Sequence, residues 1–599
     1  MKRNLYFEDE IVKNSFRPFM LKRLLKYCGK YKGQTIGMIA VGIIYAVLGT
    51  MPSIALMLIV NYVLPEGTTP APNALVWAMW ILIGIAVAVL GTAVMARLLV
   101  KLSMNVAYNI VYDLRCDLFD KLMELSFDYY DSHPSGKILV RVTNYTDGVA
   151  NVFMNDISNL INNVLLLLFA FGATFILDAR IALVVTAALV PLTVGIFFLS
   201  KTLHKRASVD KSKNSNLTAF VAEDINGISV IQAFNREKLN GDIHTELCDK
   251  YRRAFMRTTT IRELVNPLSQ VCSRIICMLI VYFAALVIID KGLGVPMSLG
   301  AVLAIDSCME IFSDSIGGIC GRIQKITEAT TNLERIFDTL DSEVDVKDCE
   351  NAEILEVTKG DVTFDDVNFS YVEGTSVLEN FSLDVKAGQT VAIVGATGAG
   401  KTTIVNLLSR FYNLGGGRVC IDGTDISRVT LSSLRRNVGV MMQDSFIFGM
   451  SVLENIRFSR PEASDEECKS AARSVGAEEF ILRLENGYDT EIKEADTLSG
   501  GERQLISFAR LMLSDPKIII LDEATSHIDT ETEKSLQTSM NLALAGRTAF
   551  VIAHRLSTIR DADKIIYIDN KSIAECGTHD ELIERKGKYY ELINSGLSL

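Results

Sequence analysis

The chain has 599 residues, too many for one hydrophobic core, so several domains are expected. Hydrophobic residues make up 49% of it, mean hydropathy is +0.26, and the apolar residues concentrate before about Leu340, which predicts a lipid-solvated N-terminal half and a water-soluble C-terminal half. A net charge of −11 excludes the basic surface that nucleic-acid binding requires, and eleven cysteines without a paired spacing such as C-x-x-C indicate neither a zinc site nor a disulfide framework.

Residues Met1 to Lys32 carry nine Lys or Arg, and Phe16, Phe19, Met20, Leu24 and Leu25 alternate with Lys22, Arg23 and Lys26 as on a helix lying in the membrane interface. The apolar run that follows is too long for the core of a cleaved signal. A bilayer core about 30 Å thick needs ~20 apolar residues in a helix. Six runs of that kind are placed at Gly33–Val63, Ala74–Leu99, Ile157–Leu177, Ile181–Leu199, Leu264–Ile289 and Met297–Ile319. The N-terminal basic cluster sets the N-terminus in the cytoplasm, and the proposed outer loops Pro65–Asn73, Asp178–Arg180 and Asp290–Pro296 hold none, one and one Lys or Arg. Polar stretches Lys101–Asn155 and Lys201–Glu263 keep helical periodicity and predict spans two to five continuing as long cytoplasmic helices. Each has a break suited to a short contact helix, at Tyr129–Gly136 and around Ser212–Glu223.

In the C-terminal half, Thr390–Thr403 (TVAIVGATGAGKTT) reads as an apolar strand, a glycine-rich turn and a helix, matching G-x-x-x-x-G-K-[ST]. Gly395, Ala396, Thr397, Gly398, Ala399 and Gly400 are small enough for successive backbone N–H groups to wrap phosphates at a helix N-terminus. Lys401 adds positive charge, the Thr402 hydroxyl can ligate Mg2+, and Thr403 completes the turn. ATP and Mg2+ are therefore the expected cofactors. Lys517–Glu523 (KIIILDE) is an apolar strand ending in two carboxylates: Asp522 to hold magnesium and Glu523 to polarise the attacking water, where the structural alternative is a helix cap. Between them Leu498, Ser499, Gly500, Gly501, Glu502 and Gln504 (LSGGERQ) place bare N–H groups and a hydroxyl at a helix start, a second anion site. Since the phosphate loop already holds one nucleotide, the second site makes sense if it serves another subunit's γ-phosphate, which implies a dimer.

This order of motifs resembles the ABC transporter superfamily, and the six-span half is similar to its exporter-type half-transporters, over nearly the whole chain. The resemblance implies a multidomain membrane protein: a six-helix α transmembrane domain plus an α/β P-loop ABC ATPase domain with an antiparallel β subdomain and a helical subdomain. The expected division is 1–32 interfacial helix, 33–340 transmembrane domain, 341–358 linker and 359–599 nucleotide-binding domain. It also implies roles for Tyr371 (adenine stacking), Gln443 (magnesium and the membrane half), His554 (γ-phosphate switch) and Asp529 (inter-subunit contact), each beside an apolar strand or in a loop where ligands bind. Two departures stand out. Ser526-His527-Ile528-Asp529 replaces the commoner Ser-Ala-Leu-Asp, and Thr490–Thr497 is one residue shorter than usual and lacks its glycines.

Because Glu523, His554 and the signature are all present, a homodimer is favoured over a heterodimer. The leading expectation is an exporter or flippase of amphipathic small molecules, lipids or peptides in a bacterial cytoplasmic membrane. An importer of the same fold, for example for metal–chelator complexes, is the alternative. A non-transport ATPase acting on ribosomes or DNA is excluded by the spans and the acidity. Asp306, Glu310 and Asp314, at i, i+4 and i+8 in span six, fall within ~80° of one another. Two readings stay open for them: a wall attracting a cationic cargo, or ion pairs with Arg274, Arg97 or Lys101.

Overall fold

The structure is a computed structural model that describes residues 23–24, 26–63, 74–177, 179–289, 299–372, 374–442, 445–493, 498–522, 530–553 and 556–594. The interfacial segment up to residue 22, the outer loops 65–73 and 290–296, and Gln443, Glu523, Asp529 and His554 lie outside the described residues. The chain divides into two units, Met1–Met123 with Ser135–Ser342, and Glu124–Pro134 with Glu343–Leu599.

The first unit is helical. Its main helices are α1 (Lys32–Tyr62) and α2 (Ala74–Glu124), then, after the short α3 (Phe127–Ser132) that belongs to the second unit, α4 (Ser158–Leu177), α5 (Ala179–Asn226), α6 (Ile228–Ala233), α7 (Glu237–Ile289) and α8 (Leu299–Asp341). The six apolar runs fall on α1, α2, α4, α5, α7 and α8, and α2, α5, α7 and α8 continue well beyond them, to Glu124, to Asn226, back to Glu237 and to Asp341. Among the described residues, three helical stretches are long and apolar enough to cross a membrane by length and composition: Lys26–Asn61, Ala74–Glu124 and Ser135–Ile176. Leu75, Trp77, Trp80, Leu82, Val87 and Leu90 of α2 are exposed, as a lipid-facing surface requires.

Without water to expel, such helices associate through close backbone approach and polar contacts. A Cβ on Gly300 would stand 2.7 Å from the Met57 carbonyl oxygen, so only glycine lets α8 lie against α1 there; the Ser53 and Ser307 hydroxyls bond one another at 2.8 Å across the same pair. Away from the apolar runs, Leu24, Ile110, Leu114, Leu118, Phe153, Leu333, Ile336 and Phe337 make an apolar core.

The second contact helix is displaced from its expected place. Helix α5 runs unbroken through Ser212–Glu223 to Asn226, and the break is Gly227, α6, and Asn235 with φ of 49°. Gly227 accepts the chain where a Cβ would stand 3.2 Å from the Glu223 carbonyl, and Asn tolerates the left-handed conformation, so these two residues punctuate the helix where the serines do not.

The second unit carries two sheets. The strands are β1 (Val362–Val372), β2 (Thr375–Val385), β3 (Thr390–Gly395), β4 (Gly416–Ile421), β5 (Thr424–Asp425), β6 (Val438–Met441), β7 (Ile518–Asp522), β8 (Thr548–Ile552), β9 (Lys564–Asp569) and β10 (Ser572–Gly577). A four-stranded antiparallel sheet is ordered β2-β1-β4-β5, and a six-stranded sheet β10-β9-β3-β8-β7-β6 is parallel except for β10. Val391–Val394 and Ile518–Leu521 are buried throughout, because both faces of a parallel sheet are covered. One core lies between the two sheets, and the other joins the parallel sheet to the helical region.

Entry into this unit is held by one carboxylate. Asp422, in the β4–β5 turn, accepts backbone N–H bonds from Thr358, Lys359, Gly360 and Asp361 at 2.8–3.0 Å. Burial of the carboxyl opposes ionisation, but the four donors outweigh it and hold Asp422 below the usual carboxylate range. Asp422→Ala is expected to destabilise the ATPase half by about 2 kcal/mol, read as a fall of about 4–8 °C in its melting midpoint. A folded-state pKa below the unfolded one stabilises at pH above the ordinary carboxylate value of about 4, and that contribution disappears as pH falls towards the lowered value. The variant and wild type should therefore converge in stability in acid.

Candidate nucleotide site

The parallel order brings the sequence-predicted groups to one sheet edge. Gly395 ends β3, Asp522 ends β7, and β8 lies between them: Asp522 is in register with Ile552, and Ile552 with Ile393. Crevices outside the carboxyl ends of such strands are where ligands bind. Glu523 follows Asp522 in sequence and His554 lies two residues past the end of β8, and both are outside the described residues.

The loop from Gly395 to Gly400 leads into α9 (Lys401–Leu408). Its glycines are required by the backbone: Gly395, with φ of 152°, lies so close to β9 that a Cβ would stand 2.6 Å from the Ile568 carbonyl oxygen, and Gly400 has φ of 101°. Ala396, Thr397 and Gly398 are exposed, as is the Thr402 side chain, whereas Thr403 is buried. The Lys401 ammonium donates to the carbonyls of Gly395 at 2.7 Å and Ala396 at 3.2 Å. Burial pushes Lys401 below the usual lysine range, and the nearby Asp522 carboxylate partly opposes this. Tyr371, at the end of β1, donates its hydroxyl to Thr403 Oγ1 at 3.2 Å and keeps about a third of its surface open.

The signature segment starts a second helix, α10 (Gly500–Ser514), with Ser499 as its cap. Ser499 Oγ accepts from the Glu502 N–H at 3.3 Å and the Glu502 carboxylate accepts from the Ser499 N–H at 2.8 Å, a reciprocal capping box. The pattern S-x-x-E at Ser499 and Glu502 is the sequence signal for this cap. The box engages the N–H groups of Ser499 and Glu502, at a helix start of the kind that suits an anion. Leu498, Gly501 and Gln504 are buried beneath.

Two further connections had no sequence signal. Arg510 of α10 donates to the carbonyl oxygens of Phe446 and Asn455 and to Asn455 Oδ1, each at 2.6 Å, so the signature helix holds the loop that follows Gln443. Helix α3 packs on the ATPase core: Phe127 and Phe411 ring centres are 4.5 Å apart, Arg435 lies over Phe411, and Tyr412 donates its hydroxyl to Asp131.

A membrane-embedded helical half joined to an ATPase half with a phosphate loop, a carboxylate-ending strand and a second, capped helix start defines an ATP-driven membrane transporter. The ABC transporter family model matches residues 378–526 and the ABC transporter transmembrane region matches 39–316. The chain is 36% identical over 606 residues to the uncharacterized ABC transporter ATP-binding protein YknV of Bacillus subtilis (strain 168), covering 100% of this chain and 98% of that one. It is 35% identical over 487 residues to a fatty acid ABC transporter ATP-binding/permease protein of Mycobacterium bovis, covering 80% and 75%. The solved structure of a bacterial Atm1-family ABC exporter with ATP bound matches at a TM-score of 0.78 and 27% identity, covering 94% of this chain and 98% of that one. The chain belongs to the ABC transporter family: it is an integral membrane protein of exporter-type fold and an ATPase coupled to transmembrane transport.

Proposed function

We propose that the chain is one half of a dimeric exporter that moves amphipathic small molecules, lipids or peptides across a bacterial cytoplasmic membrane, with its N-terminus and ATPase domain in the cytoplasm. Residues 33–340 form the membrane domain, 359–599 the ATPase domain and 341–358 the linker between them. The observation that carries the reading is that one chain presents two helix starts rich in small residues, Gly395–Lys401 and Ser499–Gly501, each suited to an anion. One nucleotide needs only one phosphate loop, so the second start serves the γ-phosphate of a nucleotide on the partner. Intact Glu523, His554 and LSGGERQ favour two identical subunits over a heterodimer.

In this reading Tyr371 stacks on adenine, the Ala396–Gly400 amides and Lys401 hold the β- and γ-phosphates, Glu523 orients and deprotonates the attacking water, His554 contacts the γ-phosphate and Asp529 reaches the partner. The exposed Thr402 hydroxyl and the Asp522 carboxylate at one sheet edge fit a magnesium ion, with Gln443 as third ligand, which would lend positive charge to the phosphates. Contacts made only with γ-phosphate favour the closed dimer, and hydrolysis removes them, switching the membrane cavity between its two exposures.

The span-six acids divide. Arg274 of α7 bonds Glu310 at 2.5 Å and stands 3.9 Å from Asp306, which also accepts from the Cys277 thiol. Asp314 has no ion-pair partner among the described residues and borders two cavities. One, of about 340 Å³, is lined by Leu48, Pro52, Leu166 and Ile311; the other, of about 440 Å³, ends at Arg322 and Lys325. The first also takes Tyr45, Thr92 and Asn163 into its lining, and this mixture of apolar, polar and charged groups supports an amphipathic cargo; the fatty-acid relative is itself named for an amphiphile. Asp314→Asn is expected to slow transport of a lipophilic organic cation about tenfold, the worth of one charge-assisted contact, with fatty-acid transport unchanged.

The purified chain alone, in vesicles of known orientation, tests the proposal. ATP-dependent movement of a fluorescent fatty acid or a lipophilic cation away from the ATPase side, lost in Glu523→Gln, is the expected result. Movement towards that side makes it an importer, and activity only with a second, different chain makes it half of a heterodimer.

A further inference from the structure

Helix α3 belongs by its contacts to the same unit as the ATPase core, so its packing there is internal to that unit. Phe127 and Asp131 are among its anchors. Phe127 packs on Phe411, a purely apolar hold, whereas Asp131 accepts the hydroxyl of Tyr412, which is 8% exposed. The ring of Tyr412 meets the ring of Tyr371 edge-on, with centroids 5.1 Å apart and planes at 88°, and both rings are edge-on to Phe369, at 5.8 and 4.8 Å. Tyr371 is in turn bonded to Thr403 in the first turn after the phosphate loop. Rings packed at such angles and distances have one favoured arrangement, so a displacement of Tyr371 is felt by Tyr412.

We propose that Tyr412 is a positioning residue that links occupancy of the adenine-facing Tyr371 to the hold on α3, so that the base of the nucleotide, as well as its phosphates, reports to the helices that lead into the membrane. This rests on Tyr371 being the base-stacking residue in the reading above. A base stacked on the open face of Tyr371 fixes that ring, the edge contact fixes Tyr412, and the Tyr412 hydroxyl holds Asp131 and with it the turn between α2 and the chain from Ser135. By linkage the effect is reciprocal: a firmly held α3 favours the ring arrangement that accepts the base.

Hydrogen exchange of the full-length transporter in lipid nanodiscs, with and without saturating Mg-ATP, tests this on the peptide spanning Leu125–Ser135. In wild type ATP should slow exchange there about three- to tenfold, the range one hydrogen bond supplies. Tyr412→Phe, which keeps the ring and loses only the hydroxyl, should abolish that protection and, by the same linkage, weaken ATP binding by no more than that factor. Asp131→Leu should behave the same way, whereas Asp131→Asn, whose amide oxygen still accepts, should restore it. Protection that survives in Tyr412→Phe, or that is lost equally in Asp131→Asn and Asp131→Leu, overturns the proposal. Should wild type show no ATP-dependent protection at Gly395–Thr402 either, the nucleotide-site assignment itself fails.

Discussion

Lys401→Ala is expected to lower ATP turnover by about a hundred- to a thousandfold, the range for removing one preorganised group from a transferring phosphoryl. Its ammonium is half-buried and held at the mouth of the loop by two backbone carbonyls, so no flexible neighbour replaces it. Lys401→Arg should rescue little, since a planar fork does not fit where a compact ammonium lies 2.7 Å from Gly395 O. Steady-state ATPase assays with a parallel measurement of nucleotide affinity separate the two effects. An affinity loss with turnover retained at saturation would limit Lys401 to ground-state binding.

Glu523→Gln is expected to slow hydrolysis by about a hundred- to ten-thousandfold, as for loss of a general base. Because Gln keeps the size and a polar oxygen, nucleotide affinity should be retained and the dimer held closed. The same variant set tests whether active sites are shared. In a mixed dimer of Lys401→Ala with a signature-disabled chain such as Ser499→Arg, one site combines both defects and the other has an intact loop facing an intact signature. Co-expression should restore about a quarter of wild-type turnover, given statistical pairing and independent sites. No restoration would mean each chain completes its own site.

Much of the site was legible because its chemistry is local. Phosphate binding needs small residues, positive φ at Gly395 and Gly400 and a helix start, all within Gly395–Thr403, and Ser499 with Glu502 closes a cap across a single turn. The membrane helices were legible for a similar reason, since spanning lipid demands long apolar runs whatever the neighbours. The second contact helix was misplaced at Ser212–Glu223 because polarity was read as a break, where Gly227 and the left-handed Asn235 set it.

What the sequence determined by itself was therefore every feature whose energetics are settled within a turn or a strand: the spans, the phosphate loop, the apolar strand before the carboxylates and the capped signature helix. Only the tertiary structure decided that Arg274 takes up Glu310 while Asp314 stands apart, that Arg510 holds the loop after Gln443, and that Tyr412 joins Asp131 to Tyr371. These pairings link residues 36, 64 and 281 positions apart in the chain. Contacts of that separation depend on which helices and strands become neighbours, and no local propensity encodes that.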